Sequence, residues 1–152
     1  MFRKLIAFAA LASSVACTPA AHLSAPDGFA HLGGDHFDDR VGSAGGVVVA
    51  TRVVANDPKA NLDFWTQAID LRLRQRGYTA TDAPKDVKND AGLPGRELHY
   101  TYFDGTRQNR YYLEVFATTR RILLVEATGD TADFDASMPK VVATMRSARL
   151  GS

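Results

Sequence analysis

His31, Asp35, His36, Asp38 and Asp39 form the densest run of potential metal ligands in the chain. Imidazole and carboxylate can hold zinc, but a tetrahedral site needs its ligands spaced by a turn or a helix. This spacing matches no established motif, and the glycines around it would have to be ordered at an entropic cost. The segment is read as a solvated loop, and neither a metal nor any other cofactor is assigned. Tyr100, Tyr102, Tyr111 and Tyr112 are clustered with Phe103 and Phe116. Tyrosine suits a surface that is apolar yet able to hydrogen-bond, either under a helix or at an interface. Core packing is the first reading of that cluster. With Trp65, the four tyrosines are also the candidate ligand or partner surface. Arg72, Arg74, Arg76, Arg107, Arg110, Arg120 and Arg121 could meet near one end of a sheet and bind an anion, against the plainer reading of surface arginines. Gly42-Ser43-Ala44-Gly45 lacks the G-x-S-x-G spacing of a nucleophile elbow, and no phosphate-loop lysine follows. Nucleophilic catalysis has no anchor here, so the chain is expected not to be an enzyme.

The remaining reactive group is Cys17, the single cysteine. Arg3 and Lys4 precede an apolar stretch from Leu5 to Val15, and no further charge appears until Asp27. A basic start, about 7–15 apolar residues and a small-residue exit are the parts of an export signal. At roughly 1.5 Å per residue the stretch is too short to span a hydrocarbon core of about 30 Å. Val15, Ala16 and Cys17 resemble the lipobox of bacterial lipoproteins, with Ser14 where an aliphatic residue is usual. That resemblance implies cleavage before Cys17, acylation of its thiol and, with Thr18 rather than aspartate next, sorting to the outer membrane on its periplasmic side. Cleavage after Ala16, Ala20 or Ala21 without acylation, giving a soluble periplasmic or secreted protein, is the alternative. The expected organisation is a signal peptide over 1–16, a lipid-anchored tether over 17–25 and one domain over 26–150.

Charge narrows the partners. The chain carries 18 basic and 17 acidic residues, and loss of Arg3 and Lys4 leaves a net charge of −1. Nucleic acid demands a basic footprint, so it is not an expected partner. A membrane reached through the acylated cysteine and another envelope protein are. With Cys17 spent, no disulfide can form within the domain.

The elements that must position these groups are legible in outline. Asp27–Gly46 has loop composition, with a short strand at Phe29–Leu32. Val47–Ala55 is a β-branched, nearly continuous strand. A helix is predicted from Asp57 as N-cap and Pro58 as first residue to about Arg76. Its apolar face holds Leu62, Trp65, Ile69 and Leu73, with Phe64, Ala68 and Leu71 beside them. Gly77 should end it and fold Tyr78 back. A strand edge is expected at Lys85–Lys88. Three strands follow as an antiparallel meander: Arg96–Phe103, a return strand around Tyr111–Ala117 after the Asp104-Gly105 turn, and Ile122–Ala127. Because proline costs about 3 kcal/mol inside a helix, Pro139 is placed in the first turn of a closing helix capped by Ser137.

Phe64-Trp65, Pro94-Gly95-Arg96, Val125-Glu126-Ala127-Thr128-Gly129, Phe134 and Arg146-Ser147 sit in an order that resembles PsbP-like and DcrB-like domains of bacteria. The resemblance spans about residues 26–149. It implies an α+β fold, an antiparallel sheet with helices packed on both sides, and a binding, assembly or accessory role. A carrier or sensor of small apolar ligands is the alternative function, followed by a metal-dependent hydrolase using His31 and His36.

Overall fold

The computed structural model describes residues 20–34 and 36–151. In chain order the elements are β1 (Ala21–His22), β2 (Phe29–His31), β3 (Asp39–Ser43), β4 (Val48–Ala55), α1 (Leu62–Gln75), β5 (Thr79–Ala80), β6 (Lys85–Lys88), β7 (Pro94–Asp104), β8 (Arg107–Ala117), β9 (Arg121–Asp130), α2 (Thr131–Arg146) and β10 (Arg149–Leu150). One eight-stranded sheet runs in the order β2-β3-β4-β9-β8-β7-β5, with β6 also paired to β7, and every pairing is antiparallel. β1 and β10 form a separate two-stranded ribbon. No helix among the described residues is long and apolar enough to cross a membrane.

Strand alternation sends side chains to two cores. Val41, Val47, Val49, Phe116, Leu123, Val125 and Ala127 point toward α2, where they bury Phe134, Val141 and Met145. Leu98, Tyr100, Leu113, Val115 and Ile122 point the other way, against Leu62, Trp65, Ile69 and Leu73 of α1. The meander and its alternation agree with the sequence reading, and the architecture is α+β with a helix on each face.

Several boundaries differ from expectation. The Asp27–Gly46 loop contains a five-residue strand, β3, with Val41 as its only large aliphatic residue. α1 starts at Leu62, not at Pro58, and its cap is Asn61, whose Oδ1 accepts from Phe64 N at 2.9 Å. Asn56 holds residues 57–60 as a loop. Its Nδ2 donates to Ala60 O and Thr118 O, and its Oδ1 accepts from Ala60 N and from the Trp65 indole. Phe64 and Leu71 face outward, 48% and 59% exposed. Gly77 does end α1, at φ 91°, with Gly77 N on Arg74 O and Tyr78 N on Leu73 O, a Schellman stop.

α2 begins six residues before Ser137, capped by Asp130, whose Oδ1 accepts from Ala132 N at 3.0 Å. Pro139 therefore lies inside the helix. It is on the exposed side, where the Asp135 carbonyl it leaves without an N–H donor can be hydrated. Burial of Phe134 in the first turn anchors the helix across the break. Part of the expected tether is built into the fold: Ala21 and Leu23 are buried, and β1 pairs with β10.

Candidate functional site

Asp38 and Asp39 of the His31–Asp39 segment spend their carboxylates on backbone N–H groups of other segments and on His31. Asp38 Oδ2 accepts from Val53 N at 2.6 Å, and Asp39 Oδ2 accepts from Leu23 N at 2.7 Å. Asp39 Oδ1 faces His31 Nδ1 at 3.0 Å. These bonds staple β3 to β4 and to the segment after β1. Among the described residues no three His, Cys, Asp or Glu side chains are placed to hold one metal ion, and Asp35 lies outside those residues. Cys17 lies outside them too.

The aromatic candidates divide between the two faces. Tyr100 is fully buried under α1, and its hydroxyl donates to Asp70 Oδ1 at 2.6 Å; burial and that bond push its ionisation up. Tyr102 meets Thr128 Oγ1 at 3.1 Å. Tyr78 ties Tyr100, Tyr102 and Tyr111 together, with centroids 5.0–6.3 Å away. Trp65 is held by Asn56 at 2.8 Å. Tyr112 faces α2 instead, stacked on His99 at 3.7 Å and edge-on to Phe134. Of the five candidates, Tyr111 lines the groove beside α1.

On the α2 face the structure assembles a charged cluster not anticipated from the chain. Glu97 and Glu114 are register partners on β7 and β8. Arg146, in the last turn of α2, donates to Glu97 Oε2 at 2.6 Å and brings Nε within 3.2 Å of Glu114 Oε1. His99 bridges Glu97 Oε1 at 2.7 Å and Asp82 Oδ2 at 3.0 Å. Burial pushes Glu97 up, but the His99 hydrogen bond and the charges of His99 and Arg146 hold its carboxyl below the usual range. Glu114 is fully buried, and neither of its oxygens has a hydrogen-bond partner among the described residues. The Arg146 approach is an ion contact outside hydrogen-bond geometry. Burial, aided by the Glu97 charge and opposed by Arg146, pushes Glu114 up to about 8. The cluster pins the C-terminal end of α2 to the sheet, and Tyr112 stacks across the His99 ring.

On the other face a groove of about 300 Å³ opens between the C-terminal half of α1 and strands β4, β9 and β8. Ile69, Leu73, Leu113 and Leu124 form its apolar floor. Arg52, Arg72, Arg76, Tyr111 and Glu126 form its polar wall. Arg52 is braced by the Phe37 ring, 5.1 Å from its guanidinium carbon. Burial pushes Glu126 upward, opposed by the Arg52 charge and the neighbouring Tyr111 hydroxyl. Burial likewise raises Tyr111. The other candidate arginines scatter: Arg74 is paired with Asp70 and Arg110 with Asp135. A larger hollow of about 470 Å³ lies at the other end of α1, over the loop organised by Asn56.

The layout is that of a PsbP-like α+β domain, and comparison with solved structures agrees. LpqN, involved in cell envelope biogenesis of Mycobacterium tuberculosis, superposes with a TM-score of 0.70 at 10% identity, over 87% of this chain and 83% of that one. The cyanobacterial PsbP of Synechocystis sp. PCC 6803 gives 0.54 at 10% identity, over 91% and 96%. PA94 of Pseudomonas aeruginosa, a protein of unknown function, gives 0.53 at 15% identity, over 78% of each chain. No protein-family description matches the sequence, and no curated protein is similar to it in sequence. At these identities the likeness concerns the fold.

Proposed function

We propose that this chain is a non-catalytic binding or assembly module of the cell envelope, held to the periplasmic side of the outer membrane through acylated Cys17. The observation that carries the binding role is the two-sided apolar character of α1. Leu62, Trp65, Ile69 and Leu73 bury one side, while Phe64 and Leu71, seven residues apart and so on one line of the helix, stay exposed. With exposed Ala68 between them, Phe64 and Leu71 form one apolar stripe, and a contiguous exposed apolar patch on a folded domain marks a contact for another protein. The likeness to an envelope-biogenesis protein supports the same setting. A photo-crosslinking side chain placed at Phe64 or Leu71 in growing cells should give discrete adducts with envelope proteins, whereas one at Ala136, exposed on α2 across the sheet, should not. Equal labelling from all three positions, or none, contradicts the reading.

A second reading, a carrier or sensor of a small ligand, is favoured by the groove beside α1. It combines an apolar floor with a few converging polar groups, as small-molecule sites do, at the lower edge of the usual roughly 300–1,000 Å³.

A further inference from the structure

From the wall of this groove we infer that it binds a small amphipathic anion, an acid group of the carboxylate or phosphate class on an aliphatic body. The inference rests on the ligand-carrier reading and adds the chemistry of the ligand. Arg72 and Arg76 are four residues apart, at the end of α1 and just past it, so two like charges share one side of the helix, an arrangement that costs stability in isolation. The helix dipole accounts for basic residues at that end. It does not account for Arg52, which comes from β4 on the opposite wall. Among the described residues none of these three guanidiniums forms an ion pair with a carboxylate, whereas Arg74, between Arg72 and Arg76 in sequence, is paired with Asp70.

The acidic group in the wall is Glu126, and burial favours its neutral form. Charged or neutral, it leaves at least two of the three positive charges unbalanced. Guanidinium forks bind carboxylate and phosphate through paired, charge-assisted hydrogen bonds. Beneath them, Ile69, Leu73, Leu113 and Leu124 offer apolar surface that an inorganic anion would leave in contact with water. An acid head between Arg52, Arg72 and Arg76, with an aliphatic body on the leucine floor, matches both parts. Tyr111, in the same wall beside Glu126, carries a hydroxyl that can donate to the head.

The test is isothermal titration calorimetry on the full chain carrying Cys17→Ser, purified without detergent. The probes, each kept below its micellar concentration, are octanoate, octyl phosphate, octanol and inorganic phosphate. The inference expects saturable binding of one or both octyl acids, at least about tenfold tighter than octanol and inorganic phosphate. The double variant Arg72→Gln/Arg76→Gln should weaken that binding about tenfold or more at an unchanged melting temperature. Arg52→Lys, which keeps the charge but loses the fork, should fall between. Octanol binding as tightly as octanoate would leave a ligand carrier but overturn the anion class. Inorganic phosphate binding as tightly as the acids would reduce the site to an adventitious ion only. Absence of binding by all four probes would overturn the inference and the carrier reading together.

Discussion

Glu114 and Glu97 lie opposite one another on paired strands, so two carboxyl groups share one buried patch with a single arginine. The arginine and His99 favour ionised Glu97, and burial leaves Glu114 as the member that keeps its proton. The folded-state value of Glu114 is raised, so its contribution to stability is complete below the ordinary carboxylate value of 4.5 and is lost as pH rises through about 8. Glu97 and Asp82 are lowered, and theirs run the other way, present above the ordinary carboxylate range and lost on acidification. Urea unfolding of the native chain and Glu114→Gln, at about pH 5, 7 and 9, should show the variant gaining relative to the native chain as pH rises. A difference that does not change with pH contradicts a protonated Glu114. Asn56 poses a simpler residue-level question. Asn56→Ala removes both partners of the Ala60 peptide and strands the Trp65 indole N–H, for an expected loss of about 2–3 kcal/mol in the same assay.

Among the elements, α2 bears most directly on local rules. Pro139 sits nine residues into a sixteen-residue helix, with its ring toward solvent. Pro139→Ala restores an N–H for the Asp135 carbonyl and should stabilise the domain by about 1 kcal/mol or more, seen as a higher melting temperature. A lower one would mean that the break serves the packing of Phe134. Gly95 on β7 has the opposite constraint. A Cβ there would lie 2.3 Å from the Phe116 ring and 2.7 Å from the Val115 carbonyl, so Gly95→Ala should cost about 1–3 kcal/mol. The meander, the Gly77 stop and the inner face of α1 were legible because alternation, turn chemistry and helical period agree there. β3 was not, because one valine carries its apolar signal and its fixation comes from Asp38 and Asp39 reaching distant backbone groups. The start of α1 was misplaced because Asn56 outcompetes the local signal of Asp57-Pro58 through contacts with Thr118 and Trp65. The charged cluster and the groove combine residues up to 64 and 74 positions apart, respectively, which no local period reveals. Tyr111, Arg72 and Arg76 are the sequence-derived candidates that the fold brings to the groove, Tyr111 because alternation sets it on the same face as Leu113.

For the whole molecule, the distance between the PsbP-like fold and the proposed anchor at Cys17 is short. β1 pairs with β10, and Gly151 N donates to Ala20 O at 2.8 Å, so the folded domain begins within three residues of Cys17. An anchor at Cys17 would therefore hold the domain close to the bilayer. One acyl chain binds a membrane marginally, while two or more hold it stably, at about 0.8 kcal/mol per buried CH₂. The decisive measurement is the intact mass and membrane partition of the exported native chain beside Cys17→Ser. The account predicts a native protein in the membrane fraction, starting at Cys17 and heavier by the mass of its acyl chains, and a variant free in the aqueous fraction. A native protein recovered unmodified from the aqueous fraction contradicts it.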